Sequence, residues 1–234
     1  CLAEGFAWQG QESAYRDGHP RGEASGDLLP TSFISFLQNH DQVGNRALGE
    51  RLASLTSRQA LRAATAALLL GPSIPLLFMG QEWAASCPFL YFCDFEPDLA
   101  ARVTEGRRRE FAGFAQFHSS SQRGKIPDPN LEETFSRSKL HWQEADKKEH
   151  RQWLHFHRHL LHLRKKRVVP LLDLISPQKS SYSRLSPQSL RVIWPLKDGR
   201  SLILLLNLSG LPVAGVPAPE GEIIMTTGEK SPEE

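Results

Sequence analysis

Phe33-Ile34-Ser35-Phe36-Leu37-Gln38-Asn39-His40-Asp41-Gln42-Val43-Gly44-Asn45-Arg46 joins an apolar run to a cluster of carboxylate, imidazole and amide side chains. Residues 33–37 read as a strand buried in a parallel sheet. Asp41 and His40 would be costly in the same interior, because an unpaired buried charge is strongly disfavoured. They belong instead at the strand's exposed C-terminal mouth, where parallel α/β folds carry their chemistry.

Working outward, residues 57–70 are dense in Ala and Leu and start at Ser57, the pattern of a capped, buried helix. Gly71-Pro72 stops it. Ile74–Met79 is a second apolar run, with Pro75 near its start and Gly80 closing it. Residues 33–79 therefore read as strand, helix, strand, one βαβ unit of a parallel sheet. Residues 1–32, rich in Gly, Pro and polar groups, read as a long loop. Residues 98–117 read as a helix with Arg107, Arg108 and Arg109 solvated and Phe111, Phe114 and Phe117 inward. Residues 119–139 read as a polar loop. Residues 149–166 read as an amphipathic helix carrying Trp153, Phe156, Leu160, Leu161 and Leu163 at near-helical spacing.

After Pro170 the texture becomes β-like. Residues 190–194 and 201–208 read as strands around Asp198-Gly199, a hairpin signal. Residues 222–226 read as a further strand, and residues 228–234 as a frayed end. A complete eight-fold βα barrel needs roughly 250 residues, so a single βαβ unit leaves two readings. Either the protein is a small two-layer fold, or it is the last part of a (β/α)8 TIM barrel followed by a small antiparallel β-domain. The start at Cys1, inside loop-like sequence, favours the second. The expected division is 1–167 for the C-terminal portion of the barrel and 168–234 for the β-domain.

Bulk composition narrows the function classes. The chain has 234 residues, 40% apolar and 23% charged, with a formal net charge of +2. That balance gives no electrostatic case for nucleic acid or an anionic membrane. No apolar run approaches the roughly 20 residues needed to span a bilayer, and residues 1–12 lack the pattern of a signal peptide. Three cysteines, Cys1, Cys87 and Cys93, point to a reducing, cytoplasmic compartment rather than a disulfide scaffold. Cys87 and Cys93 read as core or near-core thiols.

Several clusters could carry chemistry. A retaining glycosidase uses two carboxyl groups about 5–5.5 Å apart, and a further carboxylate beside an imidazole suits stabilisation of the charge that develops on a sugar ring. Asp41 with His40 fits that role; Asn39-His40-Asp41 also fits a helix N-cap and turn. Glu82 and Trp83 follow the second strand, either as a sugar-binding pair or as a turn with a rim tryptophan. Residues 89–95, Phe-Leu-Tyr-Phe-Cys-Asp-Phe, read as a buried strand more than a stacking platform, with Tyr91 and Asp94 its exposed members. His150, His155, His157, His159 and His162 read as a solvated helix face, since they lack a His-Glu-x-x-His pattern and a partner set. Arg164–Arg167 is explained by a helix C-terminus, which favours cations. There is no Gly-x-Ser-x-Gly elbow, Cys/His nucleophile arrangement or glycine-rich phosphate loop.

The stretch 33–47 resembles the fourth signature region of the α-amylase superfamily of glycoside hydrolases. More closely, it resembles the version in malto-oligosyltrehalose trehalohydrolases. Residues 5–11, 76–83, 88–92, 105–111 and 134–140 look like the same enzymes, and the resemblance runs from about residue 5 to 208. It implies a retaining hydrolase with no metal or cofactor, acting on malto-oligosyltrehalose or a related α-glucan oligosaccharide. Such an enzyme cuts the α-1,4 bond next to the terminal trehalose. It implies that Asp41 is the carboxylate that stabilises the transition state and that His40 contacts the same ring. Gln42, Arg46, Glu82 and Trp83 would line the site. The family's nucleophilic Asp and general-acid Glu motifs are not found in this sequence. They are expected upstream of Cys1, and residues 1–234 alone are expected to be inactive. The alternatives are a glycogen branching or debranching relative, or a non-catalytic α-glucan-binding remnant.

Overall fold

The helix over Arg58–Leu70 shows how the sequence builds the frame. The Ser57 hydroxyl accepts from the Ala60 amide, the chain then packs Leu61, Thr65 and Ala66–Leu69 inward, and Gly71 ends the helix. The computed structural model describes residues 1–176, 180–217 and 220–228. In chain order its regular elements begin with β1 (Gln9–Glu12), β2 (Pro20–Gly22), β3 (Ile34–Ser35), α1 (His40–Gly44), α2 (Leu52–Leu55) and α3 (Arg58–Leu70). β4 (Ile74–Pro75), α4 (Pro97–Glu110), α5 (Ser120–Arg123), α6 (Glu132–Ser138) and α7 (Lys148–Leu163) follow. The last are β5 (Ser181–Ser186), β6 (Ser189–Pro195) and β7 (Ser201–Asn207).

Two compact units divide the chain. One comprises Cys1–Leu37, Ser57–Leu76 and His155–Glu234; the other comprises Gln38–Thr56 and Leu77–Leu154. In the first, β3 and β4 pair in parallel, with Ile34 opposite Ile74 and Ser35 opposite Pro75, and α3 lies between them in sequence. This is the expected βαβ order. The strands are shorter than expected, and Ile34 is 60% exposed where a buried strand was anticipated. Among the described residues this sheet has two strands, and nothing covers the face on which Ile34 stands.

Arg164 secures the end of α3. Its guanidinium donates to the Leu69, Gly71 and Ser73 carbonyls at 3.0, 2.5 and 2.8 Å, meeting acceptors that a helix C-terminus leaves unpaired. Arg164 is buried, and within the basic run that it begins only Lys165 and Lys166 are exposed. The same unit holds an antiparallel sheet in the order β5-β6-β7. Its core is Ile175, Val192, Trp194, Leu196 and Leu202. The two strands flanking Asp198-Gly199 were legible; the polar edge strand β5 was not. Residues 222–226 form no strand. Residues 229–234, most of the expected frayed end, lie outside the described residues.

The remaining expectations need smaller corrections. Residues 1–32 contain the β1–β2 hairpin. Residues 119–139 contain α5 and α6. Phe111 and Phe117 are buried, but Phe114 is 56% exposed, because α4 gives way after Glu110 to tighter turns that rotate it outward. Residues 89–95 form no strand, and of them only Leu90 is buried. His157 is buried and His150 is half-buried, so the histidines of α7 do not share one solvated face. No helix of the described residues is long and apolar enough to cross a membrane.

Candidate functional site

All six residues singled out from sequence fall in the second unit, in two segments that behave differently. The first is α1. Asn39, in extended conformation, accepts from the Gln42 amide at 2.8 Å and so caps the helix. The N-cap reading of this stretch is correct for Asn39, and it does not compete with a chemical role for its neighbours. The cap leaves His40 and Asp41 pointing into solvent: His40 Nε2 lies 3.3 Å from Asp41 Oδ1, and each side chain is 70% exposed. Gln42 and Arg46 are exposed as well.

Arg46 pairs with Glu50 at 3.3 Å. Burial pushes the Glu50 carboxyl up, but backbone amides and Arg46 outweigh it and hold it below the ordinary carboxylate range. A presented carboxylate with an adjacent imidazole can hydrogen-bond the hydroxyls of a sugar ring, and the carboxylate favours positive charge developing on it.

The second segment, Gly80–Ser86, is built inward. Gly80 takes φ 80°, and a Cβ there would lie 2.6 Å from Leu140 Cδ2 and 2.8 Å from the Ala85 Cβ. Only glycine allows this turn. Trp83 is 3% exposed and packs with Ala85 and Cys87, against Leu140, Ala145 and Leu154. Its ring centroid lies 5.2 Å from that of Trp142. Trp83 is therefore a core residue here, not the wall residue expected from sequence. Its indole buries a large apolar surface, and its Nε1 is buried with no hydrogen-bond partner among the described residues. Glu82 is half-buried, and its Oε2 is buried with no hydrogen-bond partner among the described residues.

Three side chains to which the sequence reading gives no such role hold this segment. Arg51 is 3% exposed and donates to the Met79 carbonyl and the Cys87 carbonyl, each at 2.7 Å, so it staples both ends of the turn. Burial lowers its pKa from the ordinary arginine value. Glu144 accepts from the Ser86 hydroxyl at 2.5 Å and the Ser86 amide at 2.9 Å. Burial raises its pKa, but these bonds, with His150 and Lys147, outweigh burial and bring it below the ordinary range. His150 lies between two acceptors, the Trp83 carbonyl at 2.8 Å and Glu144 at 3.3 Å.

Arg107, expected in solvent, is buried. A signal was available, since Thr104, Arg107 and Phe111 are all buried and stand at i, i+3 and i+7, one helical face. Elsewhere, Tyr91 and Asp94 are exposed as expected. Cys1, Cys87 and Cys93 are free, Cys87 buried and Cys93 partly so. Burial, then Asp128 and Asp94, push the Cys93 thiol up. Among the described residues no cluster of three or more His, Cys, Asp or Glu is arranged to hold a metal.

Comparison with known proteins adds a family context. Residues 177–233 match a family described as a domain of unknown function, DUF3459. A malto-oligosyltrehalose trehalohydrolase of Deinococcus radiodurans is 43% identical over 169 residues, covering 72% of this chain and 28% of that protein. One of Mycobacterium tuberculosis is 36% identical over 232 residues, covering 96% of this chain and 37% of that protein. A crystal structure from Salmonella typhimurium, described as an alpha amylase, superposes with a TM-score of 0.87 at 44% identity, covering 99% of this chain and 38% of that one. The chain thus spans about a third of the length of the relatives it matches.

Proposed function

Because the chain is a sequence relative of the malto-oligosyltrehalose trehalohydrolases over about a third of their length, we propose that it is part of such an enzyme. It belongs to a retaining glycosidase that cuts the α-1,4-glucosidic bond next to the terminal trehalose of malto-oligosyltrehalose and releases trehalose. The observation that carries this reading is the exposed His40–Asp41 pair on a capped helix just after a parallel strand. Asp41 accepts hydroxyl hydrogens of the ring being cleaved and stabilises the oxocarbenium-like transition state. His40 contacts the same ring. Gln42, Arg46 and Glu82 line the cleft, and Trp83 supports it from within.

In this reading residues 1–167 form the last part of a (β/α)8 barrel and 168–234 part of a β-domain. The open faces of β3 and β4 agree with strands that other barrel strands would cover. A retaining mechanism needs a nucleophile and a general acid besides Asp41, so residues 1–234 alone are inactive. Malto-oligosyltrehalose is the substrate, and the protein works in the cytoplasm without metal or cofactor. The likeness to a solved protein described as an alpha amylase favours one second reading, another α-amylase-superfamily activity such as glycogen branching or debranching.

The products decide. Maltotriosyltrehalose incubated with the protein at its natural length should give trehalose and maltotriose. Glucose, maltose or branched products would favour the second reading. Absence of any turnover by the natural-length protein would contradict both.

A further inference from the structure

α1 is five residues long, far shorter than the roughly 12–15 residues at which an isolated helix becomes even marginally stable in water. Something outside it must hold its direction. At its start Asn39 supplies a side-chain cap. Its other end meets Arg107, whose side chain is only 6% exposed. Arg107 Nη2 donates to the Gly44 carbonyl at 2.8 Å and to the Arg46 carbonyl at 2.9 Å. Its Nη1 donates to Glu110 at 3.0 Å. The guanidinium carbon lies 5.1 Å from the Tyr91 ring centroid and 4.7 Å from that of Phe111. A cation at a helix C-terminus satisfies unpaired carbonyls and complements the helix dipole. Here it also ties α1 to α4 and to the 89–91 loop. That loop is fastened a second time by the Phe89 amide, which donates to the Gly49 carbonyl at 2.9 Å.

We infer that Arg107 is a positioning residue for Asp41: by gripping the Gly44 and Arg46 carbonyls from α4, it fixes the short helix on which His40 and Asp41 stand. The geometry needs a guanidinium. Two carbonyls, one carboxylate and two ring faces are served at once by a planar fork, and an ammonium point charge cannot reproduce this. The inference rests on the reading of Asp41 given above, and it adds a residue that touches no substrate.

The test measures trehalose release from maltotriosyltrehalose by the natural-length protein. Arg107→Lys is made in the native background and in an Asp41→Asn background, with Arg109→Gln as the exposed control on the same helix. Arg107→Lys should lower kcat by about ten- to a hundredfold with KM changed less than about twofold, because a displacement near 1 Å costs rate of this order. It should add almost nothing to Asp41→Asn, since residues that act as a unit are non-additive. Arg109→Gln should leave kcat unchanged. A loss of the same factor in both backgrounds, or no loss of kcat, overturns this inference alone. Full trehalose release by Asp41→Asn overturns the reading of Asp41 and this inference with it. If Arg107→Lys does not fold, Phe111→Leu keeps the guanidinium and loosens its seat. Its loss must likewise vanish in the Asp41→Asn background, and a loss that persists there overturns the inference.

Discussion

The segments after β3 and after β4 have similar ingredients and opposite structures. Each pairs a carboxylate with a ring-bearing neighbour, His40–Asp41 in one and Glu82–Trp83 in the other. In the first, both side chains are 70% exposed on a capped helix. In the second, Trp83 is 3% exposed, and Arg51, Glu144 and His150 grip the backbone around it. The difference teaches that composition at a strand end does not by itself identify a chemical site. What separates them is where the backbone polar groups are satisfied. At its start, where His40 and Asp41 stand, the first segment satisfies an amide with a local cap, and Arg107 reaches only the carbonyls at its far end, so the side chains of the first turn stay free. The second borrows distant donors and acceptors, and its tryptophan becomes part of the core.

If that contrast is sound, stability and activity should respond separately to changes in the two segments. Trp83→Ala removes a buried indole and should cost about 3–5 kcal/mol of unfolding free energy, the usual range for large aromatic deletions. Urea denaturation measures it, and a loss below about 1 kcal/mol would break the comparison. Arg51→Ala strands the buried Cys87 carbonyl and the part-buried Met79 carbonyl and should cost about 2–4 kcal/mol by the same assay, at roughly 1–3 kcal/mol per unsatisfied group. Glu144→Gln weakens two bonds to Ser86 and should cost about 1–3 kcal/mol.

Glu144 also gives the second segment a pH dependence. Its folded pKa lies below the ordinary carboxylate value. Its contribution is therefore present above the unfolded carboxylate pKa of about 4.3 and is lost as pH falls through the lower folded value. Unfolding midpoints measured from pH 7 downward should show that loss in the parent protein and a shallower one in Glu144→Gln. Identical profiles would remove Glu144 from the account. The smallest stability effect belongs to the first segment, where Asp41→Asn should change unfolding by less than about 0.5 kcal/mol.

Local signals made much of the fold legible. Ser57 and Gly71 bound α3 as their types require, and Asp198-Gly199 turns β6 into β7. The exposure of His40 and Asp41 followed from the cost of burying them. What escaped was long-range. The carbonyls held by Arg51, Arg107 and Arg164 lie as far as 36, 63 and 95 residues away in sequence, and a charged side chain in a sequence looks solvated until such partners are known. Other misses had readable causes. Ser119 and Gln122 form a capping box at α5, a signal present in the polar stretch. α6 turns Thr134 and Ser138 inward, so no apolar stripe announced it. Gly49 at φ 62° lets the Phe89 carbonyl approach to within 2.5 Å of where a Cβ would stand. That contact is invisible from either segment alone.

The most direct test of the central claim is Asp41→Asn in the natural-length protein, with the unfolding midpoint and trehalose release measured on one preparation. The account predicts an unchanged midpoint and a rate loss on the order of 10²–10³, the cost of removing one group that stabilises developing charge. A variant that releases trehalose at the parent rate, or one that loses activity only because it unfolds, would contradict it.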